Sequence, residues 1–272
     1  MDDLFESLRL TRAESGSGTW QTGYVHRKCI PFAILVQSIR GSYEVTAEGR
    51  HVTVAAGDCA LIAADLPVTF DHRTAGAGDM AARWLHLQAV VADALDPCAL
   101  ILTPHLIGGA RAQRIGSLLG EVQTRSGDGP ADRFARLGLA ALALGEALSD
   151  APAHPQAGER LATATRFAPL SRWLRANLHR PLTIDEIAAA ADLSRSRLHA
   201  LTGQHLGRTP MAWVKELRLS AAARQLLTTD ASVAAVAEVT GFANPFHFSR
   251  EFVRRYSVPP SRYRDLQSWT KA

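Results

Sequence analysis

The chain has 272 residues, of which 47% are hydrophobic and 21% are charged, and its net charge is +4. This balance is that of an ordinary folded globular protein, long enough for two domains. No apolar run approaches the roughly 18 residues that cross a membrane, so the composition argues against a membrane protein. The acidic start, Met-Asp-Asp-Leu-Phe-Glu, is unlike a basic secretory leader, and we expect a cytoplasmic protein.

The charge is divided unevenly along the chain. Residues from Leu161 onward contain 16 Lys and Arg against 8 Asp and Glu, which leaves 14 and 18 for the first 160 residues. A basic C-terminal part joined to a mildly acidic N-terminal part is typical of a nucleic-acid-binding domain fused to a second domain.

Residues from about 20 to 90 have the pattern of β-structure. Apolar or alternating runs at 32–39, 42–47 and 51–54 are separated by glycine and proline turns. Short strands at a spacing of about 8–12 residues predict a sandwich or a small barrel. The run 81–91 fits a closing strand.

From about residue 111 the periodicity becomes helical. The periodicity predicts two amphipathic helices. These helices either form the contact of a homodimer or pack on their own β-domain, and the pattern fits both roles equally. Residues 150–158, with two prolines and a glycine, are typical of a linker. The apolar positions recur at three- and four-residue spacing in two runs: Ile115, Leu118, Leu119 and Val122, then Phe134, Leu137, Ala141, Leu144 and Leu148.

The segment 183–207 has the pattern of a helix-turn-helix unit. Thr183 and Glu186 form a capping box at the start of its first helix. Asp192 turns the chain, Ser194 caps the second helix, and Leu198 faces inward. The early residues of such a second helix are the ones that reach the edges of DNA bases. Here they are Ser194, Arg195, Ser196, Arg197, His199 and Ala200.

The segment 232–257 repeats this pattern, at an offset of about 49 residues before the turn and about 50 after it. Ser232 caps the first helix, Gly241 supplies the turn, and Phe248 and Phe252 anchor the second helix. We expect Arg250 to pair with guanine or a phosphate, and Arg254 to contact phosphates. The outward candidates are Asn244, Pro245, Phe246, His247, Ser249, Arg250 and Arg254.

Two such units on one chain would place two helices in neighbouring major-groove segments, about 34 Å apart. A single helix-turn-helix pattern also fits a helical bundle with a solvated basic face. Two units in register, both capped and both basic, argue strongly against that interpretation. Double-stranded DNA is therefore the predicted partner.

The segment from Pro181 to Arg264 resembles the DNA-binding domain of AraC/XylS-type transcriptional regulators. The matching runs are 182–188, 190–198, 206–210 and 217–222, followed by G-F-x-N-x-x-x-F-S-R-E-F from Gly241 and P-P-S-R-Y-R from Pro259. The resemblance implies an α+β chain: a cupin-like β-barrel sensor at 1–105, a helical connector at 106–160 and an all-α double helix-turn-helix domain at 161–272. It also implies a sequence-specific transcriptional regulator with a small-molecule effector, and RNA polymerase as a further partner.

Four positions depart from the family pattern. Thr202 stands where the family usually has a core Phe, and Ser257 where it usually has Gly. Gly203 weakens the first recognition helix by up to about 1 kcal/mol, so we expect that helix to be less rigidly packed. Phe246 replaces a usual small polar residue, and an exposed aromatic ring there fits contact with a thymine methyl group.

The β-rich half is similar to the cupin-like effector domains of this family. Metal-binding cupins need an H-x-H pair and further ligands, whereas His26, His51, His72 and His86 stand alone in the sequence. We therefore predict neither a metal nor a cofactor, and no catalytic residues. A barrel without a metal still holds a small molecule in an apolar interior. The candidate effector contacts are Trp20, Tyr43, Trp84, His86 and Gln88.

Three alternative interpretations stand beside a regulator that senses a small molecule. Cys29, Cys59 and Cys98 lack C-x-x-C spacing, which argues against a disulfide framework, but they fit either structural thiols or a redox or soft-metal sensor. Besides a cysteine-based sensor, the second alternative is a metal-dependent cupin-type enzyme fused to a DNA-binding domain. An architectural protein that binds DNA with little sequence preference is the third.

Overall fold

A computed structural model describes residues 8–266 of the chain, apart from 21–22, 24, 73–78, 94, 126 and 128. These residues form two compact units. The first contains 8–91 and 95–158, and the second contains 159–266 together with 92–93. The first is built on β-sheets and the second is helical, so the predicted α+β class is confirmed.

The first unit contains two antiparallel sheets rather than the closed barrel that we expected. One sheet has five strands in the order β1 (Arg9–Trp20), β8 (Met80–Val90), β3 (Ala33–Arg40), β6 (Cys59–Ile62) and β9 (His105–Ile107). The other has four, in the order β2 (Val25–Lys28), β7 (Val68–Asp71), β4 (Tyr43–Ala47) and β5 (Arg50–Val54). No ladder joins the two sheets among the described residues, so this part of the chain is an open, cupin-like sandwich.

Strand β1 is absent from our sequence-based prediction. Its sequence, RLTRAESGSGTW, has few apolar residues and two glycines, and its strand character comes from pairing. The ladder with β8 runs from Arg9 opposite Val90 to Trp20 opposite Met80, with one register shift near Leu10. Pairing over that length satisfies backbone groups that the local sequence does not predict to be in a strand.

Two helices cover the outer face of the five-stranded sheet: α1 (Gly109–Thr124) and α2 (Pro130–Leu148). A buried glutamine ties α1 to the sheet, because Gln37 Nε2 donates to the carbonyl oxygen of Ala112 over 3.1 Å. Arg83 Nε in turn donates to Gln37 Oε1 over 2.8 Å. The predicted inner residues Ile115, Leu119 and Val122 of α1 are buried in the core shared with β3, β6 and β8.

The buried face of α2 agrees only in part with the one that its periodicity predicted. Phe134 is 76% exposed and Ala141 is also exposed, although both belong to the predicted apolar run. The predicted Leu144 is buried, and the predicted Leu137 and Leu148 pack partly buried against the same core; the other buried residues of the helix are Ala140, Ala143 and Ala147. Small alanine side chains let α2 lie close to its neighbours, and this leaves larger apolar residues on the outside.

The second unit contains seven α-helices among the described residues, followed by a short 3-10 helix at Arg264–Leu266. They are α3 (Ala157–Asn177), α4 (Ile184–Ala190), α5 (Arg195–Leu206), α6 (Pro210–Thr228), α7 (Val233–Val239), α8 (Pro245–Tyr256) and α9 (Pro260–Tyr263). One core gathers α3, α4, α5 and α6 around Leu174, Ile187, Leu198 and Val214. Around α8, the rings of Phe248, Phe252, Tyr256 and Tyr263 pack on one another with centroid distances of 4.6–5.4 Å. No helix in the described part of the chain is both long and apolar enough to span a membrane.

Candidate functional site

The first helix-turn-helix unit is α4, a four-residue turn and α5, as predicted. The capping box is present: Thr183 N–H donates to Glu186 Oε2 over 2.8 Å, and Glu186 N–H donates to Thr183 Oγ1 over 3.3 Å. These bonds, with Arg180, lower the pKa of Glu186 to about 2. Asp192 makes the turn with a φ of 53°, and Ser194 Oγ accepts from Arg197 N–H over 3.2 Å. Local hydrogen bonds therefore set where both helices begin.

The second unit is α7, a turn and α8. Ser232 Oγ accepts from Ala235 N–H over 3.1 Å, and Asn244 Oδ1 accepts from Phe246 N–H over 2.8 Å. Gly241 makes the turn with a φ of 81°, in the region that favours glycine. A Cβ at this position would meet the carbonyl oxygen of Leu178, which itself accepts from Arg218 Nε over 3.1 Å. The turn thus packs against the segment that follows α3.

Both recognition helices present their predicted residues to solvent. On α5 the predicted residues Ser194, Arg195, Ser196, Arg197, His199 and Ala200 are all exposed, while Leu198 is fully buried. On α8 the predicted Asn244, Pro245, Phe246, His247, Arg250 and Arg254 are exposed, and Ser249 is half-buried. The Phe246 side chain is 87% exposed, unusually high for a large apolar residue in the described chain.

The structure separates the four candidate arginines into two kinds. Arg195 forms a bidentate ion pair with Asp185 of α4. Arg254 pairs with Glu251, a buried carboxylate that Lys215 Nζ also contacts at 2.8 Å. Arg197 and Arg250 are exposed and form no ion pair with any described residue. The i,i+3 spacing of Glu251 and Arg254 was a signal available in the sequence, whereas the pair of Arg195 with Asp185 joins two helices across the turn.

Two of the departures from the family pattern have visible consequences. Thr202 is fully buried at the place of Phe252 in the second unit, and its Oγ1 donates to the carbonyl oxygen of Leu198 over 3.0 Å. A small hydroxyl side chain thus replaces a ring in the core of α5. Ser257 ends α8 with a φ of 60°, and Gly207 ends α5 with a φ of 65°. Both units therefore use a left-handed cap, but only the first has glycine there.

Four of the five candidate effector residues lie close together between the two sheets of the first unit. The rings of Trp20 and Trp84 are 5.9 Å apart, and those of Trp84 and His86 are 6.5 Å apart. His72 links this group to Tyr43, with ring centroids 5.2 Å apart. Gln88 is half-buried on β8 opposite Arg12, further along the strand than His86.

The sequence analysis missed other members of this group. Lys28 is only 5% exposed, and its Nζ lies 5.1 Å from the ring centroid of Phe70. His26 stacks on the same ring, with centroids 4.9 Å apart. Strand alternation was the available signal, because His26 and Lys28 are two residues apart on β2 and share a face.

Two of the four histidines that stand alone in the sequence, His26 and His72, are neighbours in space. The rings of His26 and His72 are 5.4 Å apart, and His72 Nδ1 lies 2.8 Å from Met80 Sδ. Burial lowers the pKa of His26 to about 2 and that of His72 to about 4. Within the described residues, no three side chains of His, Cys, Asp or Glu form a group that could hold a metal ion.

All three cysteines are buried. Burial raises the pKa of Cys59 to about 12 and also raises the pKa of Cys98. Because the thiolate is the reactive form, these two thiols are poor candidates for redox chemistry.

Comparisons with known proteins agree with the geometry of the second unit. A sequence model described as a helix-turn-helix domain matches residues 187–265. The chain is 33% identical to the transcriptional activator NphR of Rhodococcus sp over 236 residues, which are 82% of this chain and 67% of NphR. It is 40% identical to the HTH-type transcriptional regulator MtrA of Neisseria gonorrhoeae over 81 residues, 30% of this chain and 27% of MtrA.

A likeness in structure extends over nearly the whole chain. The crystal structure of apo ToxT K231A from Vibrio cholerae strain SCE256 matches with a TM-score of 0.60, covering 95% of this chain and 98% of that one. The identity is 12%, so this likeness concerns the fold alone. Together, the duplicated helix-turn-helix unit and the extended similarity to NphR show that the chain belongs to the AraC/XylS family of DNA-binding transcriptional regulators.

Proposed function

We propose that α5 and α8 enter neighbouring major-groove segments of one operator and read its sequence with their first two turns. The observation that supports this most directly is the position of Arg197 and Arg250. Each lies exposed in the first half of a capped helix and forms no ion pair with a described residue. A guanidinium in that position can donate two hydrogen bonds to guanine.

We assign different tasks to the other contacts. Arg195 and Arg254 are each held by a carboxylate of their own unit, which suits side chains that position the protein on phosphates. Phe246 suits contact with a thymine methyl group, because its side chain is 87% exposed at the start of α8. Ser194, Ser196, His199, Ala200, Asn244, Pro245, His247 and Ser249 complete the proposed surface.

We further propose that residues 1–105 act as a sensor, 106–160 as a connector and 161–272 as the DNA-binding domain. A small-molecule effector would bind between the two sheets, among Trp20, Tyr43, Trp84, His86 and Gln88. The structural neighbour ToxT has been solved with an unsaturated fatty acid bound. Because NphR is named an activator, we propose activation through contact with RNA polymerase, in the cytoplasm and without enzymatic activity.

The outer face of α2 supports a homodimer. Phe134 and Leu142 are 76% and 62% exposed, and Gly138, Ala141 and Gly145 lie on the same side of the helix. Apolar grooves of about 650 and 520 Å³ adjoin this face. Small residues between larger ones would let the same helix of a second copy approach closely.

Selection of bound sequences from a random DNA pool tests the proposal for the two helices. We expect an enriched motif of two boxes about one helical turn apart. The variant that combines Arg197→Ala and Arg250→Ala should lose the enrichment. A motif with a single box would show that one helix does not read DNA. Equal recovery of all sequences would support a low-specificity architectural protein instead.

A further inference from the structure

A cavity of about 570 Å³ lies between β1 and the two helices of the first unit. Strand β1 is the outermost strand of its sheet and pairs only with β8 among the described residues, so its other edge is open. The end of α1 and the start of α2 complete the wall of the cavity. None of the five candidate effector residues is among its described lining residues. The volume is within the range of small-molecule sites.

Arginines dominate the charge of this cavity. Its lining contains four arginines against one glutamate, which is an excess of three positive charges. Glu14 is the single acid, and it already pairs with Arg12. Arg125 directly follows α1, and Arg133 and Arg136 lie in the first two turns of α2. The excess positive charge therefore belongs to the corner where the two helices meet.

One of these arginines has a structural role. Arg136 Nη1 donates to the carbonyl oxygens of Arg125 and Gly127, over 2.5 and 2.6 Å, and so joins the start of α2 to the end of α1. Asp132 lies against Gly127 and is not part of the lining. The side chains of Arg125 and Arg133 are exposed and form no ion pair or hydrogen bond with any described residue. Local structure thus accounts for Arg136 but not for the other two.

Positive charges gathered around a concave surface repel one another and concentrate anions there. A guanidinium presents two parallel N–H groups, which match the oxygens of a phosphate. A single carboxylate would balance only one of the three excess charges. A phosphate monoester carries about 1.5 to 2 negative charges at neutral pH, so it balances the cavity better.

The rest of the lining suits an organic body attached to the phosphate. Val122 is buried and Leu137 is half-buried, and both supply apolar surface. Thr11 and Ser15 on β1 supply hydroxyl groups, and the open edge of that strand supplies backbone donors and acceptors. A free phosphate ion would gain nothing from the apolar part of this lining, whereas a molecule with a carbon skeleton would.

The geometry points to a binding site for a small phosphorylated metabolite in this cavity. Its phosphate pairs with Arg125 and Arg133, and its organic body lies on Val122 and Leu137 along the open edge of β1. Such a site is separate from the proposed effector site between the two sheets. It goes beyond the proposed function and does not rest on it.

Calorimetric titration of the full chain tests this assignment. The probes are AMP, ribose phosphate and phosphoserine, each paired with its unphosphorylated parent compound, together with inorganic phosphate and succinate. We expect at least one phosphate ester to bind at least tenfold more tightly than its parent compound, inorganic phosphate and succinate. The double variant Arg125→Met, Arg133→Met keeps the apolar stems and should weaken binding of that ester at least tenfold. Arg27→Met with Arg50→Met removes two exposed arginines outside the cavity and, as the matched control, should leave binding unchanged.

Several results would overturn the assignment. It is wrong if no ester binds, if inorganic phosphate or succinate binds as tightly as the esters, or if the Arg125 and Arg133 double variant binds like the unmodified protein. Thermal unfolding shows whether that variant is folded, and Arg125→Lys with Arg133→Lys, which keeps the charge but not the paired N–H groups, should lose part of the affinity. Without any ester present, the methionine variant and its control should bind DNA equally. A selective loss of DNA affinity would show that Arg125 and Arg133 contact the DNA backbone instead.

Discussion

Gly241 and Gly203 differ in whether the backbone at their position requires glycine. Gly241 has a φ of 81° and no room for a Cβ, because the carbonyl oxygen of Leu178 lies against it. Gly203 lies inside α5, and nothing lies within 4 Å of a Cβ built there. The same residue type is thus required in one unit and merely tolerated in the other.

Replacing these glycines by alanine should change stability in opposite directions. Gly241→Ala should lower the free energy of unfolding by about 2–4 kcal/mol, from the left-handed backbone and the steric clash together. Gly203→Ala should raise it by up to about 1 kcal/mol, because alanine is the better helix former. Urea unfolding followed by circular dichroism measures both. Equal effects of the two substitutions would contradict the difference in backbone geometry.

Ser257 carries a backbone strain that its counterpart Gly207 avoids. Replacing Ser257 by glycine should raise the free energy of unfolding by about 0.5–1 kcal/mol, since glycine adopts a positive φ without steric cost. The reciprocal change, Gly207→Ser, should lower it by a similar amount. Thermal unfolding of the two variants provides the check, and a destabilised Ser257→Gly would count against a left-handed cap at that position.

At the scale of the elements, the start of α4 depends on an ionised carboxylate. The pKa of Glu186 is lowered to about 2, so its capping contribution is complete above the ordinary value near 4.5 and disappears as the pH falls towards 2. The stability difference between the parent and Glu186→Gln should therefore shrink as the pH is lowered from 5.5 to 3.5. Urea unfolding at several pH values measures it. A difference that grows on acidification would have the wrong sign for this cap.

Two arginines of α8, Arg250 and Arg254, should contribute to DNA binding in different ways. Arg250→Ala should cost about 1–3 kcal/mol of binding free energy and relax the base preference at one position. Arg254→Ala should weaken binding evenly across sequences and reduce the salt slope by about 1. Titrations against operator and random duplexes at several salt concentrations distinguish these effects. Identical behaviour of the two variants would show that the assigned roles are wrong.

For the whole molecule, the exposed face of α2 predicts self-association. Leu142→Glu places a charge in the middle of that face and should weaken the dimer at least tenfold, equal to about 1.4 kcal/mol. Gln113→Glu, an exposed position on α1, is the matched control and should leave the association unchanged. Sedimentation equilibrium gives both constants. If the parent is monomeric at all concentrations tested, the homodimer proposal is incorrect.

Much of the second unit could be predicted from sequence because its signals are local. Thr183 with Glu186, Ser194, Ser232 and Asn244 each bond to backbone groups two or three residues away, and such contacts depend little on the rest of the chain. The inward residues Leu198, Phe248 and Phe252 follow from helical periodicity in the same way. The predicted turns at Asp192 and Gly241 have the positive φ angles that such turns need.

The remaining features depend on residues that are distant in sequence. Strand β1 exists through its ladder with β8, which joins residues about 60 to 80 positions apart. The stacking of Trp20 on His72 requires two sheets to face each other, so single strands showed only isolated side chains. The division of the arginines into paired and unpaired ones is more local, because Glu251 lies three residues from Arg254 and Asp185 lies ten residues from Arg195 across the turn. The sequence by itself therefore determined the family and the two recognition helices, whereas tertiary packing decided the pairing of β1 and which side chains line the interior of the sandwich, because these contacts join residues far apart in the chain.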